Sequence, residues 1–168
     1  GVKKMITTPV QTFASPEEGM LGTVIFGDVQ FFHKPHGLNT TTSEFSVDGV
    51  KELPRVDIVY VCADVSTDLI DIMVKAGAKG IVIAGVGDGN MNAGTLEAAK
   101  KATKAGITVV RATRVPIGAV LINGEVNDKE FGTICSDELN PQKARVLLML
   151  ALLKKRSWED TQKLFIEY

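Results

Sequence analysis

The chain has 168 residues, 45% hydrophobic and 23% charged, which suits one core-bearing domain with an appendage. A formal net charge of −1 provides no bulk field to recruit nucleic acid or an anionic membrane. The longest apolar run, Val146 to Leu153, is far too short to span a bilayer.

Residues 1–20 read as polar and irregular. Leu21 to Phe32 read as a β-hairpin, with Thr23–Phe26 and Val29–Phe32 flanking a two-residue turn at Gly27-Asp28. Two strands cannot bury Phe26, Phe31 and Phe32 by themselves, so this hairpin needs a partner surface. Residues 33–54, with the polar run Asn39 to Ser43, read as a linker that Pro54 closes.

From Val56 strands and helices alternate. Val56–Cys62 is strand-like, and Thr67 is placed to cap a helix that Gly77 stops. Gly80–Val86 is a second strand. Thr95–Ala105 is a helix with Glu97 early, Lys100, Lys101 and Lys104 late, and Gly106 as its stop. Ile107–Thr113 is a third strand, and Val120–Ile122 and Gly132–Cys135 suggest short ones. Asn140-Pro141 opens the next helix with an amide cap and a first-turn proline. Its continuation, Val146–Leu153, is apolar on every face, the pattern of a buried helix. Ser157 to Asp160 resembles a capping box, and Trp158, Thr161, Phe165 and Tyr168 share one face of the last helix. The alternation predicts an α/β fold in which residues 55–168 form a small three-layer domain around a parallel sheet.

Nucleophilic catalysis needs a hydroxyl or thiol with a base beside it and a third group orienting the base. No Gly-x-Ser-x-Gly occurs. Cys62 and Cys135 sit in strand-like apolar contexts and read as buried, inert free thiols. His33 and His36 gather no further ligand groups, so no metal or other cofactor is expected. The hydroxyls of Thr40 to Ser43 read as turn residues bonding to local backbone.

The strand from Gly80 stops in Gly85-Val-Gly-Asp-Gly-Asn90. This is not the dinucleotide fingerprint, and no acidic residue follows at the right distance. Two readings stay open: a bare turn of glycines with positive φ, or a ligand-facing loop at the carboxyl end of a buried strand, displaying Asp88 and Asn90. Glu125, in the acidic loop Asn123 to Asp128, is either a solvated charge or an acceptor for a ligand ammonium. Arg111 and Arg114 read as interface or ion-pair arginines. On spacing alone Lys4 is an ordinary surface lysine.

Several stretches together resemble one family: Thr12-Phe-x-Ser15, Gly19-x-Leu-Gly22, Leu53 to Tyr60, Ala76 to Gly87, Val109 to Arg111 with Arg114-Val-Pro-x-Gly118, and Leu139 to Leu148. The chain resembles the carboxyl-terminal half of bacterial-type L-asparaginases and glutaminase-asparaginases over its whole length. The resemblance implies hydrolysis of an amino-acid side-chain amide, asparagine or possibly glutamine, to acid and ammonia. In that family two threonines, an Asp and a flap Tyr of the amino-terminal half carry the chemistry, and none of that half is present. Of the catalytic set only the lysine falls here. Counting back from Thr12-Phe13 puts it at Lys4, with Lys3 as an alternative register, in an electrostatic role beside the threonine. The family's Lys-Thr is here Lys4-Met5.

Two substrate contacts also carry over: Asn90 and Glu125, which in the family reach the active site of a neighbouring subunit. Glu125 would pair with the substrate α-ammonium, and Asn90 would hydrogen-bond it and support Glu125. Asp88 stands where the family commonly has Asn, and Asn39 where it commonly has His.

The resemblance divides the chain into the tail of an amino-terminal domain (1–32), a linker (33–54) and the carboxyl-terminal α/β domain (55–168). The expected partners are the amino-acid amide and either further copies, a tetramer in the full-length family, or a complementary amino-terminal half. Nucleic acid and membrane are not expected. The isolated chain is expected to be inactive. The alternative is a non-catalytic module: a relic, a split-enzyme subunit or an amidotransferase-subunit fragment. No signal peptide follows Gly1, so the compartment stays open between periplasm and cytoplasm.

Overall fold

A computed structural model describes every residue from Gly1 to Tyr168. Its first elements are short antiparallel pairs. β1 (Lys3–Lys4) pairs with β2 (Phe13–Ala14), and β3 (Gly22–Ile25) pairs with β4 (Asp28–Phe31). A single 3-10 turn at Thr40–Thr42 follows, in which Asn39 N–H donates to Thr42 Oγ1 at 3.0 Å.

The rest is the three-layer α/β domain expected from the alternation. β5 (Val56–Tyr60), α1 (Asp68–Lys75), β6 (Gly80–Gly85), α2 (Ala93–Lys104), β7 (Thr108–Thr113), α3 (Asp128–Phe131), β8 (Thr133–Cys135), α4 (Pro141–Ala151) and α5 (Trp158–Glu167) follow in chain order. The four strands β5 to β8 form one parallel sheet in sequence order. β6 is buried along its whole length, as a β-branched run with helices on both faces should be.

Side-chain alternation sorts the core. Val59, Ile81, Ile83 and Val109 point to one face and meet Ile70 of α1 and Ala99 and Ala102 of α2. Val56, Val82, Val110 and Ile134 point to the other and meet Ala144, Leu147 and Leu148 of α4 and Phe165 of α5. Each such aliphatic side chain contributes about 1.5–3 kcal/mol on burial. No helix is long and apolar enough to cross a membrane.

Several expected details are corrected. The hairpin turn is Phe26-Gly27, not Gly27-Asp28, because Ile25 pairs with Asp28. Both turn residues have positive φ, 51° and 92°, as a twist-matched two-residue turn requires. Thr67 does hold the N-cap position of α1, but its backbone takes helical φ and ψ and its side chain makes no capping hydrogen bond. α2 begins at Ala93 rather than Thr95, because the Asn92 side chain accepts the Thr95 N–H at 2.7 Å and closes an earlier first turn. Val120 makes only an isolated bridge to Asp137, so 120–122 is not a strand. Cys62 lies beyond the end of β5 and is exposed, whereas Cys135 is buried and its thiol is pushed up by that burial.

The apolar run in α4 is not buried all round. Ala144, Leu147, Leu148 and Ala151 meet the sheet, but the helix has only one layer to lie on. Val146 stays 54% exposed, and with Leu38, Phe45 and Tyr168 it lines an open groove of about 590 Å³.

Candidate functional site

β6 and β7 are parallel neighbours, so the loops that follow them emerge at the same rim of the sheet. After β6 the chain closes a tight loop: Val86 and Asn90 exchange backbone hydrogen bonds of 2.8 and 2.7 Å. Each glycine has its own reason. At Gly85 a Cβ would meet the Asn90 carbonyl oxygen at 2.6 Å, and Gly87 and Gly89 hold φ of 50° and 66°. The glycines thus close the loop and leave Asn90 displayed at its end.

Asn90 Oδ1 accepts the Met91 N–H at 2.8 Å, which aims Nδ2 outward. There it donates to Glu125 Oε2 at 3.2 Å, across 35 residues of sequence. Glu125 sits on the loop after β7 and is exposed. Asn90 is its one hydrogen-bonding partner, so Oε1 is available to a ligand donor. The sequence named both residues, and the fold brings them together.

Beneath them lies a buried network built on Arg111, which the sequence read as an interface or ion-pair arginine without naming its partner. Arg111 and Asp128 are both fully buried. Arg111 Nε donates to Asp128 Oδ1 at 2.6 Å and a terminal nitrogen donates to Oδ2 at 2.7 Å, a bidentate pair. The remaining guanidinium hydrogens reach the carbonyls of Asp88 at 2.9 Å and Leu121 at 3.0 Å. Asp128 also accepts from the Thr133 hydroxyl at 2.6 Å and the Asn123 N–H at 2.9 Å. The available signal was an arginine inside the β-branched run Val109 to Thr113. Such a charge is tolerated only with a partner.

Asp88 is committed to the loop after β7. Its Oδ1 accepts the Leu121 N–H at 2.7 Å, so its charge is spent on the neighbouring loop. Arg114 donates to the Val61 carbonyl at 2.9 Å and lies over the Tyr60 ring. The two arginines therefore act within the fold, one in an ion pair.

Lys4 is exposed, donates to Thr12 Oγ1 at 3.3 Å and lies over the Phe13 ring. No hydrogen bond or ion pair joins it to Asn90 or Glu125. Lys3 is 5% exposed and committed to an ion pair with Glu17. Glu17 also accepts the Gly118 N–H at 3.2 Å, which fastens the amino-terminal segment to the loop after β7. Burial pushes the Glu17 carboxyl up, but the hydrogen bonds from Lys3 and Gly118 outweigh it and leave it below its ordinary range.

A carboxylate braced by an amide suits recognition of an ammonium or other cationic donor. The hydroxyls that meet carboxylates are Ser66 with Asp68 at a helix start and Thr133 with buried Asp128, and neither is hydrogen-bonded to a further base that could activate it. No group of three or more His, Cys, Asp or Glu side chains converges as a metal set.

Comparison with known proteins adds a consistent set of relatives. Residues 55–165 match the model of the glutaminase/asparaginase C-terminal domain. Over 99% of the chain, it is 40% identical to a probable periplasmic L-asparaginase of Haemophilus influenzae, covering 48% of that protein. It is 43% identical to L-asparaginase 2 of Bacillus subtilis, covering 44% of it. It is 37% identical to a glutaminase-asparaginase of Pseudomonas fluorescens, covering 46%. The chain spans about half the length of the curated relatives it matches.

Proposed function

Because the chain belongs to the glutaminase/asparaginase C-terminal domain family, we propose that it supplies the amino-acid recognition edge of an amidohydrolase site. The reaction is hydrolysis of a side-chain amide, asparagine or glutamine, by water to the acid and ammonia. Glu125 takes the substrate α-ammonium, and Asn90 holds the carboxylate in place while donating to the same substrate. The two residues face a neighbouring subunit of a homo-oligomer, whose reacting threonine completes the pocket. Lys4, the exposed member of the lysine pair, takes the electrostatic role beside that threonine. The domain boundary follows the sequence reading, with residues 55–168 as the α/β domain.

The observation that carries this reading is the 3.2 Å contact between Asn90 and Glu125 on one rim, with one carboxylate oxygen unclaimed. Catalysis by these residues alone is not expected, because an electrostatic site without its nucleophile retains little rate. The test is titration of L-aspartate into the isotope-labelled chain, followed by nuclear magnetic resonance. The Asn90 side-chain amide and the backbone of 121–127 shift, and Glu125→Gln abolishes the response. An unresponsive Asn90 amide in the unaltered chain sinks the proposal. Ammonia release from asparagine by the pure chain would overturn the statement that its nucleophile is supplied elsewhere.

A further inference from the structure

We infer that Arg111 and Asp128 are the positioning pair that holds Asn90 and Glu125 against one another; the inference rests on the substrate-binding reading of those two residues. The two recognition side chains lie on separate loops, the first a tight turn closed by Val86 and Asn90, the second the longer stretch from Arg114 to Asn127. One guanidinium spans both. It takes the Asp88 carbonyl, two residues before Asn90, at 2.9 Å, and the Leu121 carbonyl, four residues before Glu125, at 3.0 Å. Its carboxylate partner carries the tie further, since Asp128 Oδ2 accepts the Asn123 N–H at 2.9 Å, two residues before Glu125. Asp128 is in turn fixed by the Thr133 hydroxyl at the start of β8. The backbone on the approach to each recognition residue is thus pinned to one buried ion pair.

The chemistry selects this residue type. A planar fork of donors reaches a bidentate carboxylate and two divergent carbonyls at once, which a lysine ammonium cannot do. The sheet does not need the pair to form. β7 is registered by its ladders to β6 and β8, and Arg111 belongs to neither apolar cluster. Replacing both charges with apolar residues of similar volume removes an ion pair without leaving a bare buried charge, a change folds often tolerate.

The experiment is a substitution cycle read by nuclear magnetic resonance on the full chain. In the unaltered chain, Glu125→Ala moves the Asn90 side-chain amide resonance, because the Nδ2 hydrogen loses its acceptor. In the double variant Arg111→Met with Asp128→Leu, the backbone resonances of Ile70, Ala99 and Leu148, remote from both positions in the two core clusters, stay in place. The Asn90 amide there no longer responds to Glu125→Ala. A response of undiminished size in that background overturns the inference. Should the double variant fail to fold, Thr133→Val decides. It removes one donor from Asp128, and the Asn90 response shrinks; an unchanged response overturns the inference. L-Aspartate is titrated separately. Its failure to move Asn90 would defeat the substrate reading while leaving the coupling between Asn90 and Glu125 readable.

Discussion

Gln162 of α5 brackets Cys135 of β8: its Oε1 accepts the Cys135 N–H at 2.8 Å, and its Nε2 donates to the Cys135 carbonyl at 3.1 Å. β8 is the last strand of the sheet, and Cys135 turns these two groups away from β7. A side-chain amide therefore stands in for the missing strand and blunts the edge. Gln162→Leu leaves a buried N–H and C=O without partners. The expected loss is ~1–3 kcal/mol, read as a lower urea midpoint at unchanged m-value. A midpoint equal to that of the unaltered chain would remove this role from Gln162.

Asp88 is a strut between loops, and Gly124 is shaped to its carboxylate. A Cβ at Gly124 would approach Asp88 Oδ2 to 2.2 Å. Gly124→Ala must therefore push the carboxylate off the turn that it holds through Leu121. Hydrogen exchange at the Leu121 amide should accelerate in Gly124→Ala and in Asp88→Ala. Asp88→Asn keeps an acceptor and should preserve the protection, at a cost of roughly 1 kcal/mol. Unaltered exchange in Asp88→Ala would show that another acceptor holds Leu121.

Two carboxyls have opposite effects on acid stability. Burial raises Asp137 above its ordinary value of 3.8. The folded state then binds a proton that the unfolded state has released, so stability is lost as pH rises through the window above 3.8. Asp137→Asn removes that loss and should raise the urea midpoint at neutral pH, with the gain vanishing below pH 3.8. Its φ of 52° suits Asn equally well. Glu17 is lowered from 4.5, so its contribution is present above that pH and disappears as pH falls through its folded value. Glu17→Gln should therefore destabilise at neutral pH and converge with the unaltered chain in acid. A midpoint difference that does not change with pH for either variant would contradict the assignment.

The parallel sheet was legible because its strands are apolar on both faces and the helices between them stop at glycines, Gly77 and Gly106. Asn90 and Glu125 were legible through the family resemblance, since spacing alone left a bare turn and a solvated charge as open readings of the two loops. Arg111 was visible but its partner was not. Asp128 lies 17 residues away in an acidic loop, and no local pattern pairs them. Asp88 misled for the same reason: a loop carboxylate beside a candidate site reads as part of it, and only the fold brings the Leu121 N–H to it. Asn92 escaped notice because an Asn among loop residues does not announce which turn it caps. Asn92→Ala should cost ~1 kcal/mol in thermal or urea unfolding, since the Thr95 N–H then loses its acceptor. A cost near zero would mean that water replaces the cap.

The amino-terminal hairpin is a two-stranded sheet that no third strand joins. Phe26, Phe31, Phe32, Val24 and Val29 are all exposed on it. Such a ribbon is marginal alone, and apolar surface gathered on one small element marks an association site. The chain by itself should therefore self-associate, through a surface distinct from the rim that carries Asn90 and Glu125. Phe26→Ser with Phe31→Ser removes the two largest protruding rings without touching either core cluster. Sedimentation velocity should show concentration-dependent association in the unaltered chain and a shift toward monomer in the double variant. A monodisperse monomer in the unaltered chain would mean that the hairpin surface is tolerated in water. Association undiminished in the variant would instead move the contact elsewhere, with the open groove beside Val146 of α4 as the next surface to substitute.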